Sequence, residues 1–266
     1  SDGSIHDSWA PRISYGNRGI LSFRIAVETA STDNHSGNKG GVIPNAGWEL
    51  VRLLDSMIDQ EDHVLIDGFY DDIEPASTYE ERILAKIPYD SQRLARVFGV
   101  ERIELDNKTY FRNLMFRPTL TINSFLCGEP GGKKSIIPSK AEAKLDARLV
   151  VNQSCDEVYE RIQKHIHSFS TRGKITLERL GRGMLPAKSN PEFPPFQCVI
   201  DAASQAFGID AIEVPITGGS LPNYVWSDVL HVPFILVPYG NPDERNHAPN
   251  ENLSLDCYYK GIETTA

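Results

Sequence analysis

Between Gly19 and Glu28 apolar and polar side chains alternate without a break. Leu21, Phe23, Ile25 and Val27 fall on one side; Ser22, Arg24, Ala26 and Glu28 fall on the other. A period of two predicts a strand with one buried face. The same pattern recurs over Glu142 to Leu149, with Ala143, Leu145, Ala147 and Leu149 inward, and strands are also predicted over Thr119–Phe125 and Lys174–Leu180. Between these runs the period lengthens. From Pro44 onward Leu50, Val51, Leu54, Met57 and Ile58 form one stripe, as in a helix laid on a sheet. Ser154-Cys155-Asp156-Glu157 has the spacing of a capping box and predicts a helix to about Phe169, with Val158, Ile162 and Ile166 on its inner face.

The resulting order is β-α-β-β-α-β, a two-layer α/β sandwich of the ferredoxin-like kind. Residues 66–117 interrupt it and are too long for a plain loop; a helix is predicted there over Tyr89–Gly99. Past Arg182 the pattern changes. A helix over Phe196–Phe207 stops at Gly208, Ile212–Pro215 is a short strand, Val232–Val237 reads as a strand buried on both faces, and Asn252–Ile262 reads as a helix. This is the style of a parallel α/β sheet with few strands.

Composition narrows the classes. At 40% hydrophobic and 24% charged, the 266 residues can bury a sizeable core. A net charge of -9 without any Lys/Arg run argues against nucleic acid and against an anionic membrane surface as partners. No apolar stretch reaches the roughly 18 residues that a span requires. Cys127, Cys155, Cys198 and Cys257 form no C-x-x-C pair, which disfavours a cysteine zinc site and fits reduced thiols in a cytoplasmic protein.

Three displayed loops carry the candidate chemistry. Asp33-Asn34-His35-Ser36-Gly37 and Asn246-His247-Ala248-Pro249-Asn250-Glu251 each present a histidine. His247 has acidic neighbours and an extended backbone before Pro249, which suits a neutral imidazole ligand. A solvated loop histidine fits the same local sequence. Gly218-Gly219-Ser220 suits a nest of backbone N–H groups around an anion, or simply a turn. Arg148 has the planar fork that a carboxylate fits, and equally a salt-bridge partner in Asp146 or Glu142.

The ordered set resembles a known group. Ser1-Asp2, Pro11-Arg12-Ile13-Ser14-Tyr15-Gly16-Asn17-Arg18-Gly19, Asp33 to Gly37 with Gly40-Gly41, Ile136-Ile137-Pro138, Arg148-Leu149-Val150, Gly218 to Pro222 and His247 to Glu251 follow one another as in the co-catalytic zinc metallopeptidases. That family includes aminoacylase, carnosinase-type dipeptidases, carboxypeptidase G, acetylornithine deacetylase and succinyl-diaminopimelate desuccinylase. The Ser-Asp start and the long insertion are most similar to the dipeptidases. The resemblance implies a lid and dimerisation domain over 19–183, with the insertion 66–117, set between catalytic-domain segments 1–18 and 184–266. It implies two zinc ions, with Asp2 and His247 as ligands. It implies that His35 reaches across a homodimer to steady the substrate carbonyl, and that Ser135, Arg148, Gly219 and Ser220 hold a small peptide or N-acyl amino acid. The family's early H-x-D, its bridging Asp and its Glu-Glu pair would precede Asp2 and are not in this sequence. The chain alone is therefore expected to be inactive. A non-catalytic dimerisation fragment and an N-acyl-amino-acid deacylase are the alternatives.

Overall fold

The computed structural model describes residues 3–128, 134–246 and 248–266. It divides into two compact units: Gly19–Ile73 with Pro118–Leu185, and Ser1–Arg18 with Glu74–Arg117 and Pro186–Ala266.

The first of these is the predicted sandwich. Its strands are Gly19–Glu28, Thr119–Cys127, Lys140–Leu149 and Lys174–Arg179, and its helices are Ala46–Asp55 and Cys155–Ser168. Across the sheet the order is second, third, first, fourth, and every pairing is antiparallel. The first strand is paired on both sides, from Gly19↔Leu149 to Glu28↔Lys140 along one edge. Leu21, Phe23, Ile25 and Val27 are buried against Leu50, Leu53, Met57, Val158 and Ile162. The opposite face is polar; Arg24 bridges Glu142 at 3.1 Å and also contacts Glu178.

Two local expectations shift. In the first helix Leu53 is buried and Val51 is 42% exposed. At 100° per residue the stripe 46, 50, 53, 54, 57 faces the sheet squarely, and Val51 falls off it. Asn45, directly after Pro44, caps this helix by accepting from the Gly47 and Trp48 N–H groups. Ser154 accepts only from the Asp156 N–H, whereas a full capping box forms at Ser77 and Glu80, where the sequence reading placed no helix.

The other unit is built on short ladders. Arg12–Ser14 runs parallel to Ile212–Val214, and Gly16–Asn17 runs antiparallel to Ala187–Lys188. Phe196–Phe207 ends on Gly208 at φ 67°, as its sequence foretells, and packs against Leu255–Thr265. The run Val232–Val237 is no regular strand. Leu236 makes one bridge to Ser14, the Phe234 N–H is taken by Ser189 Oγ at 2.8 Å, and Val232 is exposed.

The insertion also falls differently from the sequence reading. Glu74–Arg117 belongs to this second unit, and the sandwich closes without it. Three helices occupy it, Thr78–Leu84, Ser91–Phe98 and Asn107–Phe116. The reason lies in what they bury. Ile83 joins Ile13, Tyr15 and Phe196 in one core cluster. Lys188, 14% exposed, bonds Glu74 and lies 3.1 Å from Glu80, whose side chain is 1% exposed.

Glu49 is the most buried acid of the sandwich. Its carboxylate accepts from Arg52, from Thr171 and from the backbone and side chain of Arg172, and so ties the first helix to the turn before the last strand. Burial pushes its pKa up, and the bonds from Arg172 more than reverse that. Glu49→Ala should cost about 2–3 kcal/mol in urea unfolding. Arg172→Ala should cost under about 1 kcal/mol, because that side chain is 62% exposed.

His165 gives a pH signature. Burial lowers its pKa below 6.5, and Nε2 lies 3.0 Å from Ser56 Oγ. The unfolded chain therefore binds the proton more readily than the folded one. The neutral imidazole's contribution is complete above roughly pH 6.5 and is lost as pH falls through the lower folded value. His165→Gln should flatten the thermal-stability profile between roughly pH 7 and pH 5.

Candidate functional site

His35 stands where the chain leaves the first sandwich strand and turns toward the first helix. Asp33 fixes the loop: its Oδ1 accepts from the Ser139 N–H and from Ser139 Oγ, both at 2.8 Å. These bonds hold the Asp33 carboxyl below its ordinary pKa. Asn34–His35 then pairs with Ile136–Ile137. The Ser36 N–H and hydroxyl both donate to the Ser135 carbonyl, at 3.1 and 3.0 Å. Two of the predicted residues, His35 and Ser135, are thus brought together, both exposed.

The imidazole has a defined sense. Nδ1 accepts from the Gly37 N–H at 3.1 Å. In the neutral ring the proton is then on Nε2, which becomes a donor. Gly37 permits this approach, since a Cβ there would lie 3.1 Å from the ring.

Arg148 is placed elsewhere on the same sheet. It pairs with Ile20 near the start of the first strand, whereas the His35 loop follows the far end, beyond Glu28↔Lys140. Eight residues separate Lys140 from Arg148, roughly 26 Å of strand. Within one chain, the Arg148 guanidinium and the His35–Ser135 pair therefore serve opposite ends of the sheet. Arg148 Nε is 3.5 Å from Asp146 Oδ2.

In the second unit, the loop with Gly219 and Ser220 is held from behind. Asn17 donates to the Leu221 carbonyl, Arg18 Nε donates to the Gly218 carbonyl at 3.1 Å, and Asn223 donates to Asn17 Oδ1. Gly219 is exposed, with open space where a Cβ would be. Neither Gly218 nor Gly219 has positive φ. A nest of the αR–αL kind is therefore not formed on these two glycines. Gly219 is displayed to solvent, and Ser220 is half-buried. Asn17 and Arg18 stand in the quoted Tyr15-Gly16-Asn17-Arg18 motif, but nothing in their spacing announces that they brace this turn.

Asp2 and His247 lie outside the described residues. Their described neighbours meet. Ser4 bridges Gly240, Ser4 Oγ donates to Glu244 Oε1 at 2.6 Å, and the Ile5 N–H donates to the Gly240 carbonyl at 2.8 Å. Arg12, mostly buried, faces Glu244; burial lowers its pKa, and Glu244 and Asp7 oppose the shift. Asn241 and Asn252 knit the surrounding loop. Asn241 donates to Asp243 and Asn252 and accepts from the Ser254 N–H at 2.7 Å. A carboxylate and an imidazole are a donor pair that suits zinc. Among the described residues, Asp59, Glu61 and His63 also bring ligand atoms within 4.8 Å of one another. They lie on an exposed turn that Asp59 itself caps by accepting from two backbone N–H groups.

Comparison with known proteins supplies the context. The chain is 27% identical over 263 residues to the human Beta-Ala-His dipeptidase, covering 96% of this chain and 52% of that protein. It is 28% identical over 260 residues to a Cys-Gly metallodipeptidase of Schizosaccharomyces pombe, covering 95% and 54%. Among solved structures, an M20 family metallo-carboxypeptidase from Sulfolobus solfataricus superposes with a TM-score of 0.90 at 27% identity, covering 99% of this chain and 60% of that one. The chain thus spans about half the length of the curated relatives it matches. Residues 15–173, more than half of the chain and including the His35 loop and Arg148, match the M20 peptidase dimerisation domain, and the protein belongs to that family.

Proposed function

We propose that these residues form the substrate-holding part of a zinc-dependent dipeptidase that works as a homodimer in a reducing, cytoplasmic setting. One observation carries the reading. His35 with Ser135, and Arg148, occupy opposite ends of one sheet, so a site needing all three draws them from two subunits.

The outer strand Thr119–Cys127 supports the dimer, since it lies at an edge of the sheet and exposes Ile122, Phe125 and Leu126. Such an edge is a template for pairing with a second copy. In the assembled site, Asp2 and His247 would hold zinc. When bound, two zinc ions supply an activated water and a Lewis acid for the peptide carbonyl. His35 Nε2 donates to the carbonyl oxygen as negative charge gathers there. Arg148 takes the substrate's terminal carboxylate, Ser135 lies beside His35, and the Gly219-Ser220 turn flanks the substrate. Asp2 and His247 are two ligands for this site, and each zinc requires about three or four. Turnover therefore needs ligands, and a glutamate base, from polypeptide beyond these residues; the chain by itself should not hydrolyse dipeptides.

The test uses a protein that joins this sequence to the ligand-bearing segment of a relative, loaded with zinc and assayed on dipeptides. His35→Ala and Arg148→Ala should each lower kcat/KM by about 10²–10³-fold. Mixed together, the two inactive variants should recover about a quarter of the parent activity, because half of the dimers are mixed and each of these has one intact site. Failure to recover while mass spectrometry shows mixed dimers rejects the shared site. A folded, zinc-loaded protein that hydrolyses no dipeptide rejects the activity.

A further inference from the structure

The polar face of the sandwich sheet contains one buried carboxylate. Lys140, Glu142, Lys144, Asp146 and Arg148 share that face. Asp146 stands apart, with a side chain only 11% exposed. A buried carboxylate is costly unless its oxygens are satisfied. The chain satisfies Asp146 with a bulge. Ile122 pairs with Leu145 and Ser124 with Lys144, so Asn123 is the extra residue in the edge strand. A bulge re-aims the side chain at that position. Here Asn123 Nδ2 donates to Asp146 Oδ1 at 2.6 Å. The other oxygen, Oδ2, lies 3.5 Å from Arg148 Nε. Asn123, Asp146 and Arg148 thus form a line from the edge strand inward. Its last member is the residue to which the proposed function assigns the substrate carboxylate.

We infer that Asp146, oriented by the bulged Asn123, is a positioning residue that sets the Arg148 guanidinium to receive a carboxylate. The inference rests on the role proposed for Arg148. Its physical content is preorganisation. A long guanidinium side chain loses rotamer freedom when it binds an anion. A partner on Nε fixes the plane of the fork beforehand, so less is lost on binding. Asn123 acts in the same way on Asp146. It occupies one oxygen and leaves the other directed at Arg148.

The experiment reads Arg148 itself and needs no turnover. The Arg148 Nε–H resonance of the 266-residue chain is assigned by its disappearance in Arg148→Lys. The chain is then titrated with glycylglycine and with glycylglycine amide. Glycylglycine should shift the resonance and the amide should not. Asp146→Asn, which keeps the shape of the side chain, should weaken glycylglycine binding about tenfold and move the unliganded resonance toward that of a solvated arginine. Asn123→Ala should do the same to a lesser degree. An unchanged glycylglycine affinity in Asp146→Asn overturns the inference. So does an equal response to the amide, or no response of Arg148 to glycylglycine. Absence of dipeptide hydrolysis in the extended, zinc-loaded protein sinks the proposed activity instead, and leaves the positioning result to stand on the titration.

Discussion

The register of one strand governs the geometry of the candidate site. Gly19–Glu28 is paired along its whole length with Lys140–Leu149, and over six residues with Lys174–Arg179. Leu21, Phe23, Ile25 and Val27 are each at most 1% exposed, and burying such side chains contributes about 1.5–3 kcal/mol apiece. A slip by one residue would carry all four to the polar face, so the alignment is held by the whole set. Once the alignment is fixed, so are its ends. Arg148 sits beside Ile20, the His35 loop leaves beyond Glu28, and the distance between them follows from the length of the strand rather than from any contact they make.

At both ends the candidate side chains lean on short hydrogen-bonded braces. Asp33 on Ser139 holds the backbone that presents His35, and the Gly37 N–H selects which imidazole nitrogen carries the proton. Asn123 on Asp146 does the corresponding work near Arg148. In each case a charged or amide side chain from the loop or bulge bonds a polar group of its neighbour. Position is thereby bought with bonds that the fold needs in any event.

Much of this architecture was legible in the chain. The strand Gly19–Glu28 and the helix Phe196–Phe207 fall where alternation, and the stop at Gly208, put them, because each buries one face against a single partner layer. Val51 was misplaced because a period of 3.6 leaves adjacent positions nearly equivalent until the partner surface is known. The run Val232–Val237 has the composition of a central strand. Its ladder fails because the Phe234 N–H goes to the Ser189 hydroxyl, a long-range bond that no local pattern reveals. The insertion went to the wrong side of the domain boundary for a similar reason. Ile83 and Glu80 look like ordinary helix residues until Tyr15 and Lys188, far away in sequence, close over them. The Ser77-x-x-Glu80 box itself was open to reading. The histidine and arginine of the candidate site were recognisable by type and by the order of motifs. Asp146 was legible as a salt-bridge partner of Arg148; the bulged Asn123 that holds it and the grip of Asp33 on Ser139 were not, since a lone Asn or Asp in a loop or strand is compatible with many roles.

The two units solve the problem of holding loops in different ways, and the difference bears on chemistry. The sandwich has long ladders and one continuous core, so its site residues inherit rigidity from the sheet. The other unit has ladders of two or three residues, and such pieces do not stand on backbone pairing alone. There the work passes to asparagines. Asn17 and Asn223 hold the turn carrying Gly219 and Ser220, and Asn241 and Asn252 bond each other and the Asp243 carbonyl. An asparagine amide donates and accepts at once, so one side chain fixes two strands of backbone that have no ladder between them. Gly219 has nothing within reach of a Cβ, and Arg18 and Asn17 hold the carbonyls on either side of it. The backbone at Gly219 is thus ordered by its neighbours and carries no side chain of its own.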